Sequence, residues 1–170
     1  SMYYNCYFRT NKSLTTPYLQ KFSSCISNPY LKEAFIKSQL LGPPFIQFNI
    51  LEKIKAARVD EGIKSRLIDL FEKEKNHFIF IDFWGTWCAP CMNEMPLYRH
   101  LIQDFSGENI SFKFFAVNTS EKVALLVKEK NQIDGEFIIL DVNEAHLLNT
   151  ILNFNSYPSH FLISPNSIVI

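Results

Sequence analysis

The sequence predicts an α/β fold preceded by helices, and three observations carry that prediction. From residue 78 onward, short runs of β-branched and aromatic residues alternate with stretches of helical periodicity, as in parallel βαβ units. The first 76 residues read instead as successive amphipathic helices. At the join stands Trp84-Gly85-Thr86-Trp87-Cys88-Ala89-Pro90-Cys91, where a strand reaches a turn and a Pro-containing helix start with two cysteines at the junction.

Each element has its own signal. Thr16-Pro17 and Asn28-Pro29 place an N-cap residue before a proline at the first helical position. After the first, Tyr18, Leu19, Phe22, Cys25 and Ile26 share one face. After the second, Leu31, Ala34, Phe35, Ser38 and Leu41 do, until Gly42-Pro43-Pro44 stops the run. A third pattern (Ile50, Leu51, Ile54, Ala57) and a fourth (Ile63, Leu67, Leu70, Phe71) follow, and Glu72-Lys73-Glu74-Lys75 reads as a solvated face. Phe78 to Phe83 is a buried strand. Met92 to Phe105 continues the helix begun at the cysteines, with Pro96 expected to kink it. Ser111 to Val117 is a strand. Glu121 to Lys130 is a helix with Val123, Leu126 and Val127 inward. Glu136 to Leu140 is a strand, Asn143 to Phe154 a helix with Leu147, Leu148, Ile151 and Leu152 apolar, and Ser159 to Ile163 a last strand opened by Tyr157-Pro158.

Composition narrows the function. The 170 residues suit one domain with an appendage, and 47% hydrophobic residues with 16 Phe mark a globular chain. Seventeen basic and seventeen acidic residues cancel, which argues against nucleic acid or an anionic membrane as partner and for other proteins. No run of 18 apolar residues and no signal-peptide succession is present. Cys6 and Cys25 read either as a structural disulfide or as two buried thiols.

The cysteine pair is the chemical centre. A helix N-terminus carries partial positive charge and unpaired N–H groups, so Cys88 is expected to have a lowered pKa and to act as nucleophile. Cys91, about one helical turn on, is placed to resolve a mixed disulfide. Asp82 sits in an apolar strand, where burial should raise its pKa, and a raised carboxylate near a thiol can relay its proton. A satisfied structural acid is the alternative for Asp82, and Trp84 and Trp87 read equally as packing or as substrate contact. A zinc site would need partners that neither Cys6, Cys25 nor any His supplies at the right spacing, so no metal ligand is assigned. His77, His100, His146 and His160 are scattered and take surface or packing roles by default; His160 alone stands near the site and is left unassigned.

The segment Ile81-Asp82-Phe83-Trp84-Gly85-Thr86-Trp87-Cys88-Ala89-Pro90-Cys91 resembles the active-site segment of thioredoxins, V-D-F-W-A-x-W-C-G-P-C. The continuation Met92-Asn93-Glu94-Met95-Pro96 resembles the C-x-x-E-x-P of the TlpA/ResA branch of thiol-disulfide oxidoreductases. The resemblance covers 76–170. It implies a thioredoxin-like fold, a central mixed sheet flanked by helices, with 1–75 as a helical N-terminal segment. It also implies Cys88 and Cys91 as the redox pair, Asp82 as the buried acid, and Trp87, Ala89 and Pro90 as substrate-binding residues around the sulfurs. Pro158 becomes a cis-proline facing the pair, with Tyr157 offering its backbone to an extended substrate.

No diffusible cofactor is implied, since the cysteine pair carries the electrons; the partners are disulfide-containing or dithiol protein substrates and a redox protein that recycles the pair. An extracytoplasmic location follows from the same resemblance. Ala89 stands where thioredoxins have glycine, and Tyr157 is bulky where the family often has Thr or Ile. The chain stops at Ile168-Val169-Ile170 without the family's closing helix, which reads as a fragment or a truncated variant. The rival from another class is a redox-inactive binding module on the same fold, against which two intact cysteines argue.

Overall fold

The structure, a computed structural model, describes residues 48–169. The expected helices after Thr16-Pro17 and Asn28-Pro29 lie outside the described residues, as do Cys6 and Cys25. The described elements run α1 (Ile50–Ala56), α2 (Glu61–Glu72), β1 (Phe78–Trp84), α3 (Ala89–Asp104), β2 (Ile110–Val117), α4 (Glu121–Asn131), β3 (Glu136–Leu140), α5 (Val142–Leu152) and β4 (Ser159–Ile163). The strands form one sheet in the order β3-β2-β1-β4, with β1, β2 and β3 parallel and β4 antiparallel to β1. This is the mixed α/β sheet expected of the sequence.

Because side chains alternate along a strand, the sheet has two distinct faces. Ile79, Ile81 and Phe83 of β1 join Phe115, Ile138 and Phe161 in a core closed by Ile50 and Ile54 of α1, Leu67 and Phe71 of α2, and Leu148 and Leu152 of α5. Phe80 and Trp84 join Phe112, Phe114 and Ala116 in a second core, closed by Cys91, Met95 and Tyr98 of α3 and by Ala124 and Val127 of α4. Strand β1 is therefore covered on both sides, which is why its sequence is continuously apolar around one acid. Helices α1 and α2 share the first core with the sheet. The segment after β4 turns back, and Val169 N–H donates to the Phe48 carbonyl while Ile50 N–H donates to that of Ser167.

Two readings need correction. In α4 the inward residues are Ala124 and Val127, whereas Val123 and Leu126 are exposed, as is Leu125. With apolar residues at 123 to 127 almost without a break, periodicity did not select a face, and the sheet took the stripe that includes the small Ala124. Glu74 is not part of a solvated charge run. It lies 2.9 Å from Nζ of Lys113, a buried β2 residue that also pairs with Glu136, and a buried ammonium requires such counter-charges.

Candidate active site

The site is built at the C-terminal end of β1. Gly85 follows the strand, and a Cβ there would collide with the Trp87 indole and lie 2.8 Å from the Val117 carbonyl oxygen, so the turn depends on the missing side chain. The loop is pinned to the end of β2. Thr86 N–H donates to Thr119 Oγ1 at 3.1 Å, and Trp87 Nε1 donates to the Val117 carbonyl at 2.9 Å. Cys88 N–H closes the turn onto the Gly85 carbonyl.

Cys88 is the N-cap of α3, in extended backbone conformation, with Pro90 in the first helical turn where its lack of an N–H costs nothing. Cys88 and Cys91 form a disulfide with Cα atoms 5.3 Å apart. Cys91 N–H donates to Cys88 Sγ at 3.2 Å, so the sulfur takes the place of the oxygen that caps most helices. Both cysteines are buried, while Ala89 and Pro90 are exposed. Trp84 is fully buried and is packing; Trp87 is 52% exposed, with its ring edge-on to Tyr157 at 5.0 Å. The Tyr157-Pro158 peptide is cis. Since Ser159 pairs with Phe83, Pro158 falls at the same end of β1 as the disulfide. Burial pushes the Tyr157 phenol above its usual range.

Asp82 lies on the α3 side of β1, between Phe80 and Trp84, and is 1% exposed. Burial pushes its carboxyl up to about 6; His160 opposes that rise, Glu94 adds to it, and the Tyr98 hydroxyl opposes it. The structure brings to Asp82 three residues to which the sequence reading gave no role, His160, Glu94 and Tyr98. His160 pairs directly with Asp82 across the β1–β4 ladder. Its Nε2 lies 3.3 Å from Asp82 Oδ1, 3.2 Å from Glu94 Oε2 and 2.8 Å from the Tyr98 hydroxyl. The contact between Asp82 and His160 is an ion pair when the ring is protonated. Glu94 was visible only as part of a motif. Tyr98 had no signal beyond helical spacing from Cys91.

The architecture is matched by known proteins. A solved structure of a thioredoxin domain of a thiol-disulfide oxidoreductase from Bacteroides vulgatus superposes with a TM-score of 0.53 at 15% identity, over 58% of this chain and 71% of that one. The family model Thioredoxin matches residues 69–135. The fold is thioredoxin-like. A second Bacteroides vulgatus structure, of a putative thiol-disulfide oxidoreductase, shares this thioredoxin-like fold at 25% identity and a TM-score of 0.50, covering 59% of this chain and 64% of that chain.

Among curated relatives, the thiol-disulfide oxidoreductase ResA of Geobacillus kaustophilus is 32% identical over 88 residues, which is 52% of this chain and 49% of the relative. ResA of Bacillus subtilis is 30% identical over 110 residues, 64% of this chain and 57% of the relative. The chain therefore spans about half the length of the curated relatives it matches. Among the described residues, no helix is long and apolar enough to cross a membrane.

Proposed function

We propose that this protein is a thiol-disulfide oxidoreductase that exchanges disulfides with protein substrates through Cys88 and Cys91 and acts as a reductase outside the cytoplasm. The observation that carries the reading is the Cys88–Cys91 disulfide at the N-terminus of α3, where Cys91 N–H points at the Cys88 sulfur. A donor and a helix end aimed at that sulfur favour its thiolate once the bond is reduced. The ResA relatives, the Thioredoxin match and the surroundings of the pair support the same reading.

In the reductive direction the Cys88 thiolate attacks one sulfur of a client disulfide. A Cys88–client bond forms, the client S–S bond breaks, and the departing client sulfur takes a proton from solvent. Cys91 then loses its proton to Asp82 and attacks Cys88 Sγ. The Cys88–Cys91 bond forms and the second client sulfur leaves as a thiolate that is protonated in turn. Two electrons and two protons pass to the client, and a separate redox protein must return them. Trp87, Ala89, Pro90, Tyr157 and Pro158 form the rim against which the client chain lies.

The test is disulfide reduction of insulin driven by dithiothreitol, compared between the wild-type chain, Cys88→Ser and Cys91→Ser. Cys88→Ser is expected to lose catalysed turnover, and Cys91→Ser to accumulate a mixed disulfide. Full activity in Cys88→Ser would overturn the proposal and return the binding-module reading.

A further inference from the structure

Helix α3 presents Cys91, Glu94 and Tyr98 at helical spacing, and Cys91 and Tyr98 lie in the core formed with Phe80 and Trp84, on the sheet face that also carries Asp82. His160 enters this space from β4. Its ring stacks on Phe80 with centroids 5.8 Å apart, and its Nε2 faces Asp82 from β1 and Glu94 and Tyr98 from α3. The Tyr98 hydroxyl also reaches Glu94 Oε2 at 3.4 Å. Two carboxylates thus converge on one ring nitrogen in a space from which water is largely excluded; Asp82 is 1% and His160 7% exposed. Among the described residues no set of three or more His, Cys, Asp or Glu is arranged to hold a metal ion, so the convergence calls for another explanation.

We propose that His160 is a positioning residue for the resolving step: its imidazole bridges Asp82 and Glu94 and keeps Asp82 able to accept the proton that Cys91 loses. The inference rests on the assignment of Cys88 as nucleophile and Cys91 as resolving thiol. The buried Asp82 and the part-buried Glu94 both come within 3.3 Å of His160 Nε2, and carboxylates brought so close to one atom repel each other; without a cation between them one would retain its proton. A protonated Asp82 is no acceptor. The ring also fixes where the Asp82 carboxylate lies, because the Nε2 contact and the β1–β4 pairing hold the two side chains face to face.

The experiment separates the two steps. In a Cys6→Ser, Cys25→Ser background, which leaves Cys88 and Cys91 as the chain's remaining thiols, the reduced protein is mixed in excess with dithionitrobenzoate. The first thionitrobenzoate is released by Cys88 and the second by Cys91 on resolution. In His160→Gln the pH midpoint of the second release is expected to rise by about one unit, the smaller end of the effect of losing an adjacent opposite charge, with about a tenfold slower release on the acid side. The first release should move much less. A second release with the wild-type pH profile in a folded His160→Gln protein overturns the inference. A first release that keeps its wild-type rate in Cys88→Ser would instead sink the assignment of the redox pair.

Should His160→Gln not fold, the wild-type ring is followed directly by ¹⁵N NMR of labelled histidine, with His77, His100 and His146 changed to Gln. The His160 ring should titrate at different midpoints in the disulfide and dithiol forms. Identical midpoints overturn the proposal.

Discussion

Replacing Asp82 by Asn should stabilise the protein at neutral and alkaline pH but not in acid. Asp82 is fully buried, and its carboxyl is raised from the ordinary aspartate value of 3.8 to about 6, chiefly by desolvation. The folded chain therefore holds this proton more tightly than the unfolded chain does. Below the ordinary value both states keep it and ionisation costs nothing. Between 3.8 and about 6 the cost of ionising the buried group grows, and above 6 it is complete. At about 1.4 kcal/mol per pH unit, a rise of about two units corresponds to on the order of 3 kcal/mol. That figure is already net of the attraction to His160 and Tyr98.

The amide of Asn is nearly isosteric and carries no charge, so Asp82→Asn should gain on the order of 3 kcal/mol at a pH of about 8 and almost nothing at about pH 3. Urea unfolding of the oxidised protein at both pH values measures it. An equal gain at both, or a loss at the higher pH, would refute the argument, because either would mean that Asp82 is not ionised at a cost in the folded state.

Two further outcomes follow from the packing. Gly85→Ala forces a methyl group against the Trp87 indole and the Val117 carbonyl, and should cost about 2 kcal/mol in urea unfolding, as overpacking does elsewhere; an unchanged midpoint would show that the loop yields freely. Arg66→Ala removes the cation paired with the buried Glu144 carboxylate and a donor to the Ile139 carbonyl at 2.9 Å. The half-exposed Arg66 puts the expected loss at about 2 kcal/mol, below the range for fully buried pairs, and Glu144→Gln in the same background should recover part of it.

The sheet was legible in the sequence because its strands are short apolar runs bounded by turn residues. The spans expected for β3 and β4 match the structure, and those for β1 and β2 differ by a residue at one end. The cysteine pair was legible because strand, turn and proline each mark the same junction. The inward face of α4 was not, since Val123, Ala124, Leu125, Leu126 and Val127 offer nearly continuous hydrophobicity and the smallest of them decides the fit. Thr119 was equally silent. Its hydroxyl anchors the active-site loop from two residues beyond the end of β2, and no local pattern encodes a hydrogen bond between residues 33 apart.

His160 shows why the charge environment of a site is harder to read than its nucleophile. A cysteine at a helix start announces its chemistry locally, whereas the meaning of a histidine in Ser159-His160-Phe161-Leu162-Ile163 depends on the strand beside it. The antiparallel register that pairs Asp82 with His160 puts both side chains on the α3 face, and the turn spacing of α3 brings Glu94 to the same nitrogen. Moving β4 by one residue would present Ser159 or Phe161 to Asp82 instead, leaving two carboxylates facing each other without a base between them. The cost of burying Asp82 would then fall on the fold, and in the proposed resolving step the proton of Cys91 would have no ready acceptor. In the proposed reaction the register of one edge strand therefore bears on the resolving step as directly as the two sulfurs do.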